Sequence, residues 1–268
     1  MTAPITPILM VGAGRMGGAL IAGWRLAGTF APVDLIVRDP KPGPEALAAR
    51  DAGARLNPPD AELGGANTVL IAVKPQGWRD AAGAIAAHLA PDAVVVSIMA
   101  GIGADDLAQV FAGRMIARAM PTTAAAIGKS VTGLYAADLR ARARARILFG
   151  SVGAVIDLEG EDSMHAVTAA SSSAPAFFYA FVEALRGAAT AAGLPPATAA
   201  DLVGGAVTAA AALMERTGEA PSVLRGQVTS PGGTAQAGLE VLAGPGGLDD
   251  LMARAVAKAV ARSRALGG

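Results

Sequence analysis

Two short segments carry residues suited to holding anions. Gly12-Ala13-Gly14-Arg15-Met16-Gly17 follows the apolar run Ile8–Val11 and precedes a helical pattern. Gly12 permits a tight turn, Gly14 lets backbone approach a pyrophosphate, and Gly17 lets the helix pack closely on the strand. Near the other end, Val228-Thr229-Ser230-Pro231-Gly232-Gly233-Thr234 reads as a nest of backbone N–H groups at a helix start, suited to a small carboxylate. Pro231 has no N–H, so its neighbours must supply the donors. The pair implies dinucleotide chemistry on a small acid.

The second strand ends in Val37-Arg38-Asp39-Pro40-Lys41. An acid at that place commonly binds a ribose 2′-OH, whereas a base favours a 2′-phosphate. Arg38 and Lys41 form a candidate phosphate clamp, and Asp39 reads either as a ribose ligand or as the cap of an Asp-Pro turn. NADPH is the expected cofactor, with NADH as the alternative. Ala72-Val73-Lys74-Pro75 and Met99-Ala100 fall at the carboxyl ends of further strands, where ligands lie in open α/β sheets. They complete the expected cofactor site.

Elements able to position these segments follow from hydrophobic spacing. Candidate strands are Ile8–Val11, Leu35–Val37, Thr68–Val73, Val94–Ile98, Met115–Met120 and Thr132–Tyr135, with Gly17–Ala27 and Glu45–Ala52 as helices between them. This alternation predicts an α/β fold with a doubly wound parallel sheet over residues 1–158. From about residue 160 the strand signal ends. Ala174–Ala192, Pro196–Thr217 and Leu248–Leu266 read as long helices, so residues 159–268 form an all-α part. Pro175 and Pro196 suit first turns, Gly193 suits a helix stop, and Ser171, Ser172 and Ser173 stand where caps are common. So many apolar helical positions call for burial against a second copy.

Composition narrows the class. With 22 basic and 22 acidic residues there is no global attraction to nucleic acid or anionic membrane. Arg140, Arg142, Arg144 and Arg146 spread around a helix, which predicts a solvated surface. The absence of cysteine excludes disulfides and thiolate chemistry. His88 and His165 stand far apart, and neither is read as a metal ligand or a catalyst. The opening Met1-Thr2-Ala3-Pro4-Ile5-Thr6-Pro7 lacks a signal-peptide pattern, and charged or turn residues interrupt apolar runs before a spanning length, so a soluble cytoplasmic protein is expected.

Several of these segments together resemble the Δ1-pyrroline-5-carboxylate reductase family. They are the glycine loop, Ala-Val-Lys-Pro-Gln at 72–76, Val-Ser-Ile-Met-Ala-Gly-Ile at 96–102, Arg-Ala-Met-Pro at 118–121, Ala-Val-Thr-Ala at 166–169, Ser171 through Phe177, and Gln-Val-Thr-Ser-Pro-Gly-Gly-Thr at 227–234. The resemblance covers nearly the whole chain, and its last segment is the most specific. It implies a Rossmann domain followed by a helical dimerisation domain, each active site being completed by the partner subunit, with larger rings of dimers also occurring in the family. The implied substrate contacts are Met120, Pro121, Ser230, Gly232, Gly233, Thr234 and Ala235, and Thr234 and Ser173 are the candidate hydrogen-bonding partners of a substrate ring nitrogen. Departures gather around the substrate: Thr122 and Ala124 after Met120-Pro121, Ser172, Ala174 and Phe177 in the serine segment, Gly226, and Ala235 where the family has threonine. The implied activity is NAD(P)H-dependent reduction of a cyclic imine, pyrroline-5-carboxylate first, another cyclic imine second. A non-catalytic nucleotide-binding sensor is the reading from another class. No lysine stands between Lys129 and Lys258, which argues against the β-hydroxyacid dehydrogenases, whose helical domain uses one.

Overall fold

The computed structural model describes residues 5–267. Met1 to Pro4, on which the reading of the opening segment partly rests, lie outside the described residues. Eight strands form one sheet: β1 (Ile8–Val11), β2 (Leu35–Arg38), β3 (Arg55–Leu56), β4 (Thr68–Ile71), β5 (Val94–Ser97), β6 (Ile116–Met120), β7 (Ser130–Tyr135) and β8 (Gly153–Asp157). The helices are α1 (Arg15–Ala27), α2 (Pro44–Asp51), α3 (Trp78–Ala86), α4 (Ala104–Val110), α5 (Leu139–Gly150), α6 (Ser163–Val167), α7 (Ala174–Ala191), α8 (Pro196–Thr217), α9 (Pro221–Gln227), α10 (Thr234–Leu242) and α11 (Leu248–Arg264).

The strand order is β3-β2-β1-β4-β5-β6-β7-β8. Neighbours pair in parallel except β6 with β7. The sheet is thus the expected doubly wound, mainly parallel one, with a single antiparallel pair. Only a short 3-10 turn, Thr123–Ile127, lies between the two strands, too little chain for a parallel crossover. The short β3 and the largely exposed β8 escaped the periodicity reading because neither presents a long apolar run.

Both faces of the sheet are covered, so its central strands are mostly apolar, with Thr68 and Ser97 as buried polar ends. Alternation distributes their side chains between two cores. Ile8 and Met10 join Leu20, Ile21, Trp24 and Phe149 on one face. Leu9 and Val11 join Ile71, Trp78, Ile85 and Phe111 on the other. Trp24 buries its indole and donates Nε1–H to Leu148 O at 2.9 Å, which satisfies its one polar group.

The arginine run departs from expectation at one position. Arg140 is exposed, Arg142 donates to Ala136 O, and Arg146 pairs with Asp157. Arg144, however, is buried and donates to Asn67 O, which ties α5 to the chain entering β4. Burial lowers its pKa from the ordinary guanidinium value.

The chain separates into two compact units, residues 5–172 with 259–267, and residues 173–258. The division falls beyond residue 158, where the composition changes, and the end of the chain returns to the first unit. The second unit contains α7 packed on α8, then α9, α10 and most of α11. Gly193, with φ +107°, ends α7, and Pro196 opens α8 as expected. Helix α8 is, by length and composition, long and apolar enough to cross a membrane. Asp201 and Glu215 interrupt its uncharged run, as expected, and abundant alanine raises its hydropathy between them.

Candidate active site

The crevice where strand order reverses, between β1 and β4, is built from the glycine turn. Gly12 has φ +91°, donates N–H to Arg38 O at 2.8 Å, and leaves no room for a side chain: a Cβ there would meet Ala72 O at 2.8 Å. A Cβ on Gly17 would meet Gly12 O at 2.5 Å, so α1 crosses the turn at glycine contact. Gly14 differs, because a Cβ there would meet nothing within 4 Å. Its lack of a side chain serves no internal packing and keeps the outer face of the turn open.

The helix above the turn supplies the field. Gly14 is the N-cap of α1 without side-chain capping, no acid occupies the first turn, and the first intrahelical bond runs from Gly18 N to Gly14 O at 2.7 Å. The N–H groups of Arg15, Met16 and Gly17 therefore have no intrahelical acceptor and sit at the positive end of the dipole. This is the arrangement that receives a phosphate.

The end of β2 is more constrained than its sequence suggested. Asp39 Oδ2 accepts from Ala13 N at 2.6 Å, and Oδ1 accepts from Lys41 N at 2.7 Å. The carboxylate thus caps its own turn and also grips the glycine loop. Asn57 clasps the same residue, its Oδ1 accepting from Asp39 N at 2.9 Å and its Nδ2 donating to Asp39 O at 2.8 Å. A clasp across 18 positions leaves no local signal in the sequence. Arg38 donates to Pro58 O at 2.5 Å and to Asp60 at 2.7 Å, and lines a cavity of 420 Å³ with Asp39, Asn57 and Ile85. A second cavity, of 540 Å³, brings Lys41 together with Ala13, Gly14 and Arg15.

Ala72–Pro75 leaves β4, and Met99-Ala100 follows β5, both at carboxyl ends as expected. Ala72 N donates to Val11 O at 2.8 Å, and Lys74 is exposed. Met99 is buried and its side chain joins the core, whereas Ala100 is half-buried at the loop.

Met120, Pro121 and Thr122 are buried at the end of β6. Thr122 N donates to Ser130 Oγ at 3.1 Å, in a hydroxyl cluster that includes Thr132. Ser173 occupies the N-cap position of α7, but none of the three serines makes a side-chain cap bond to it. Ser171 Oγ donates to Val131 O at 3.3 Å and Ser172 Oγ to Pro121 O at 3.0 Å, while Ser173 makes no side-chain cap bond. Ser171 and Ser172 belong to a π-helical turn, Thr168–Ser172, a form that concentrates at functional sites. A wider turn points side chains away from the places that cap spacing assigns them. Ala174 and Phe177 lie in the first turn of α7.

The bend at 230–234 opens α10. Gly232 has φ +69°, its N–H is taken by Gln236 Oε1 at 2.8 Å, and Gly233 N donates to Ser230 O at 3.0 Å. The two glycine N–H groups therefore shape the bend itself. Helix geometry leaves the N–H groups of Thr234, Ala235 and Gln236 without an intrahelical acceptor. Ser230, Thr234 and Ala235 are exposed in the chain.

Behind the β5–α4 loop, Arg118 is almost fully buried and pairs with Glu161 at 2.8 Å; Glu161 also accepts from Ala104 N at 2.7 Å. His165 Nδ1 lies 3.0 Å from Ser263 Oγ. Burial first, then Arg118 and Arg264, lower its pKa from the ordinary imidazole value.

A sheet reversing between β1 and β4, with a glycine turn and an uncapped helix start at that crevice, defines a Rossmann-type dinucleotide-binding protein with a helical segment appended. Residues 7–101 match the family model described as NADP oxidoreductase coenzyme F420-dependent, and residues 161–266 match the model for pyrroline-5-carboxylate reductase dimerisation. A pyrroline-5-carboxylate reductase of Synechocystis is 34% identical, covering 96% of this chain and 97% of its own. One from Thermus thermophilus is 36% identical over 88% of this chain and 89% of its own. A solved pyrroline-5-carboxylate reductase structure from Coxiella burnetii superposes with TM-score 0.88 at 28% identity, covering 99% of this chain and 100% of its own. The chain belongs to the pyrroline-5-carboxylate reductase family.

Proposed function

We propose that this protein reduces Δ1-pyrroline-5-carboxylate to L-proline with NADPH, NADH serving less well, and that it works as a homodimer. The observation that carries the reading is the open face at Gly14, beneath three unpaired helix N–H groups, in a chain matched over nearly its full length by reductases of that name. The residues present fit the cofactor: Gly12 to Gly17 would cradle its pyrophosphate, Arg38 and Lys41 would hold its 2′-phosphate, and the loops at Ala72–Pro75 and Met99-Ala100 would flank its nicotinamide half. Bound NADPH supplies the hydride that the substrate's C=N carbon accepts.

The protein's part is positioning, which is worth several kcal/mol of barrier. The substrate carboxylate sits at the start of α10, accepting from the N–H groups of Thr234, Ala235 and Gln236, with the helix dipole favouring the anion. Ser230, Gly232 and Gly233 shape that bend, and Met120 and Pro121 support the pocket from the end of β6. The Thr234 and Ser173 hydroxyls are the groups that hydrogen-bond the ring nitrogen. The protonated imine carries its proton into the product amine, so no strong base is needed. Pairing of two chains covers the apolar faces of α7 and α8 and completes each site with the partner subunit's bend. Dimers associate further into rings, and the assembly is cytoplasmic and independent of membrane and nucleic acid, in keeping with its balanced charge.

Purified protein mixed with NADPH and a panel of five- and six-membered cyclic imines, with and without a carboxylate, tests this. Fastest turnover on pyrroline-5-carboxylate is expected, together with a gain from Ala235→Thr. Tight NADPH binding without turnover of any imine would overturn the reading, and a fall on Ala235→Thr would point to a pocket refitted for another imine.

A further inference from the structure

The β5–α4 loop, Ile98–Gly103, is held from behind by residues distant in sequence. Gly101 has φ +84°, a conformation that favours glycine, and a Cβ there would meet Ser263 O at 2.6 Å, Leu266 Cβ at 2.8 Å and Gly267 N at 2.9 Å. The fit is reciprocal, because a Cβ on Gly267 would collide with Gly101 O. Ser263 is 2% exposed, and its hydroxyl is anchored by His165. At the loop's far end, Gly103 N donates to Asp106 at 3.4 Å and Ala104 N to Glu161 at 2.7 Å. Its near end is tied by Ile98 N to Ile71 O at 3.1 Å and by Met99 N to Ser97 Oγ at 3.2 Å. The middle of the loop, Ala100-Gly101, therefore rests on the chain's C-terminal turn.

We propose that Ser263–Gly267 is a positioning strap: glycine-on-glycine contact between Gly101 and Gly267 sets the height of the Met99-Ala100 backbone on the cofactor side of the loop. The two contacts come from opposite ends of the stretch that matches the dimerisation model, Glu161 at one end and Leu266 at the other. The loop thus takes its shape from chain outside the sheet. This rests on the reading that Met99-Ala100 lies beside the nicotinamide, but the strap itself is testable apart from it.

Gly267→Val pushes the strap off Gly101 without placing a side chain in the cofactor site, and Ser263→Ala loosens it by removing the bond to His165. Hydrogen–deuterium exchange on the full-length protein reads the strap directly. Amides 99–103 are expected to exchange at least about tenfold faster in Gly267→Val, with amides 8–20 unchanged and Ser263→Ala intermediate. In steady-state assays, kcat is expected to fall about tenfold while NADPH affinity stays within about threefold, because a small misplacement costs rate before binding. Unchanged exchange at 99–103 in folded Gly267→Val would overturn the strap whether or not the protein turns over imines. Faster exchange with unchanged kcat in an active enzyme would overturn its positioning role. If Gly267→Val does not fold, Ser263→Ala decides by the same two readouts.

Discussion

The two compact units bury their side chains in different ways. The first, residues 5–172 with 259–267, has two apolar cores around a covered sheet. In the second, residues 173–258, only Ala199 and Val203 are buried, while Phe178 and Tyr179 on α7, Leu202 on α8 and Val228 and Val241 farther on are more than half exposed. Burying such a side chain is worth about 1.5–3 kcal/mol, so helices of this kind pay for their order only against a second surface. The first unit completes its fold from its own chain; the second is written for an interface. That explains why the glycine turn proposed as the cofactor cradle is finished within one chain, whereas the proposed substrate bend stands exposed.

The contrast can be broken most severely at the interface. Leu202→Asp places a charge in the middle of α8 and is expected to abolish the dimer and, with it, activity, while leaving NADPH binding within about threefold; transfer of one unpaired charge costs several kcal/mol. Sedimentation equilibrium with a cofactor titration checks this, and a stable active dimer would remove α8 from the interface.

Within the first unit, the cradle glycines sharpen the distinction between packing and binding. Gly14→Val is expected to weaken NADPH about 100-fold with Tm changed by less than about 2 °C, because its Cβ enters open space. Gly17→Val should instead cost about 1–3 kcal/mol of stability through collision with Gly12 O. Calorimetry and fluorescence titration separate the two, and similar effects on Tm would refute the division. Arg38→Ala follows, with NADPH weakened about tenfold more than NADH; equal losses would mean that Arg38 serves only its pair with Asp60.

The smallest effect concerns pH. His165 has its pKa lowered in the folded chain, so the unfolded chain binds the proton more readily. Stability from this group is present above the unfolded pKa, about 6.5, and is lost as pH falls through the window below it. Tm measured from about pH 8 to pH 5 should fall more in the wild type than in His165→Gln. Parallel curves would show that the imidazole is not coupled to folding.

Residue types announced the glycine turn at the β1–β4 crevice because its requirements are local: a strand, three glycines at fixed spacing and a helix start. The long helices were equally legible from periodicity, and the exposed apolar faces agree with the expectation of pairing. Asp39 stayed ambiguous because one carboxylate can cap a turn, bind ribose or grip a loop, and its bond to Ala13 spans 26 positions. Met99 was assigned to a ligand loop, yet its side chain belongs to the core. The serines ahead of Pro175 satisfied the pattern for caps, but the π-helical turn sends Ser171 and Ser172 to distant carbonyls.

Composition and spacing along the chain were enough to specify the sheet's alternation with helices, the glycine turn between β1 and α1 and the need for a second copy, since each depends on neighbours within a few residues. Which carboxylate grips the glycine loop, which glycine N–H groups of the 230–234 bend are already taken, and what supports Gly101 depended on chain folding back over tens or hundreds of positions. Hydrogen bonds and steric contacts of that range are set by where elements pack, and packing is decided by the whole core at once.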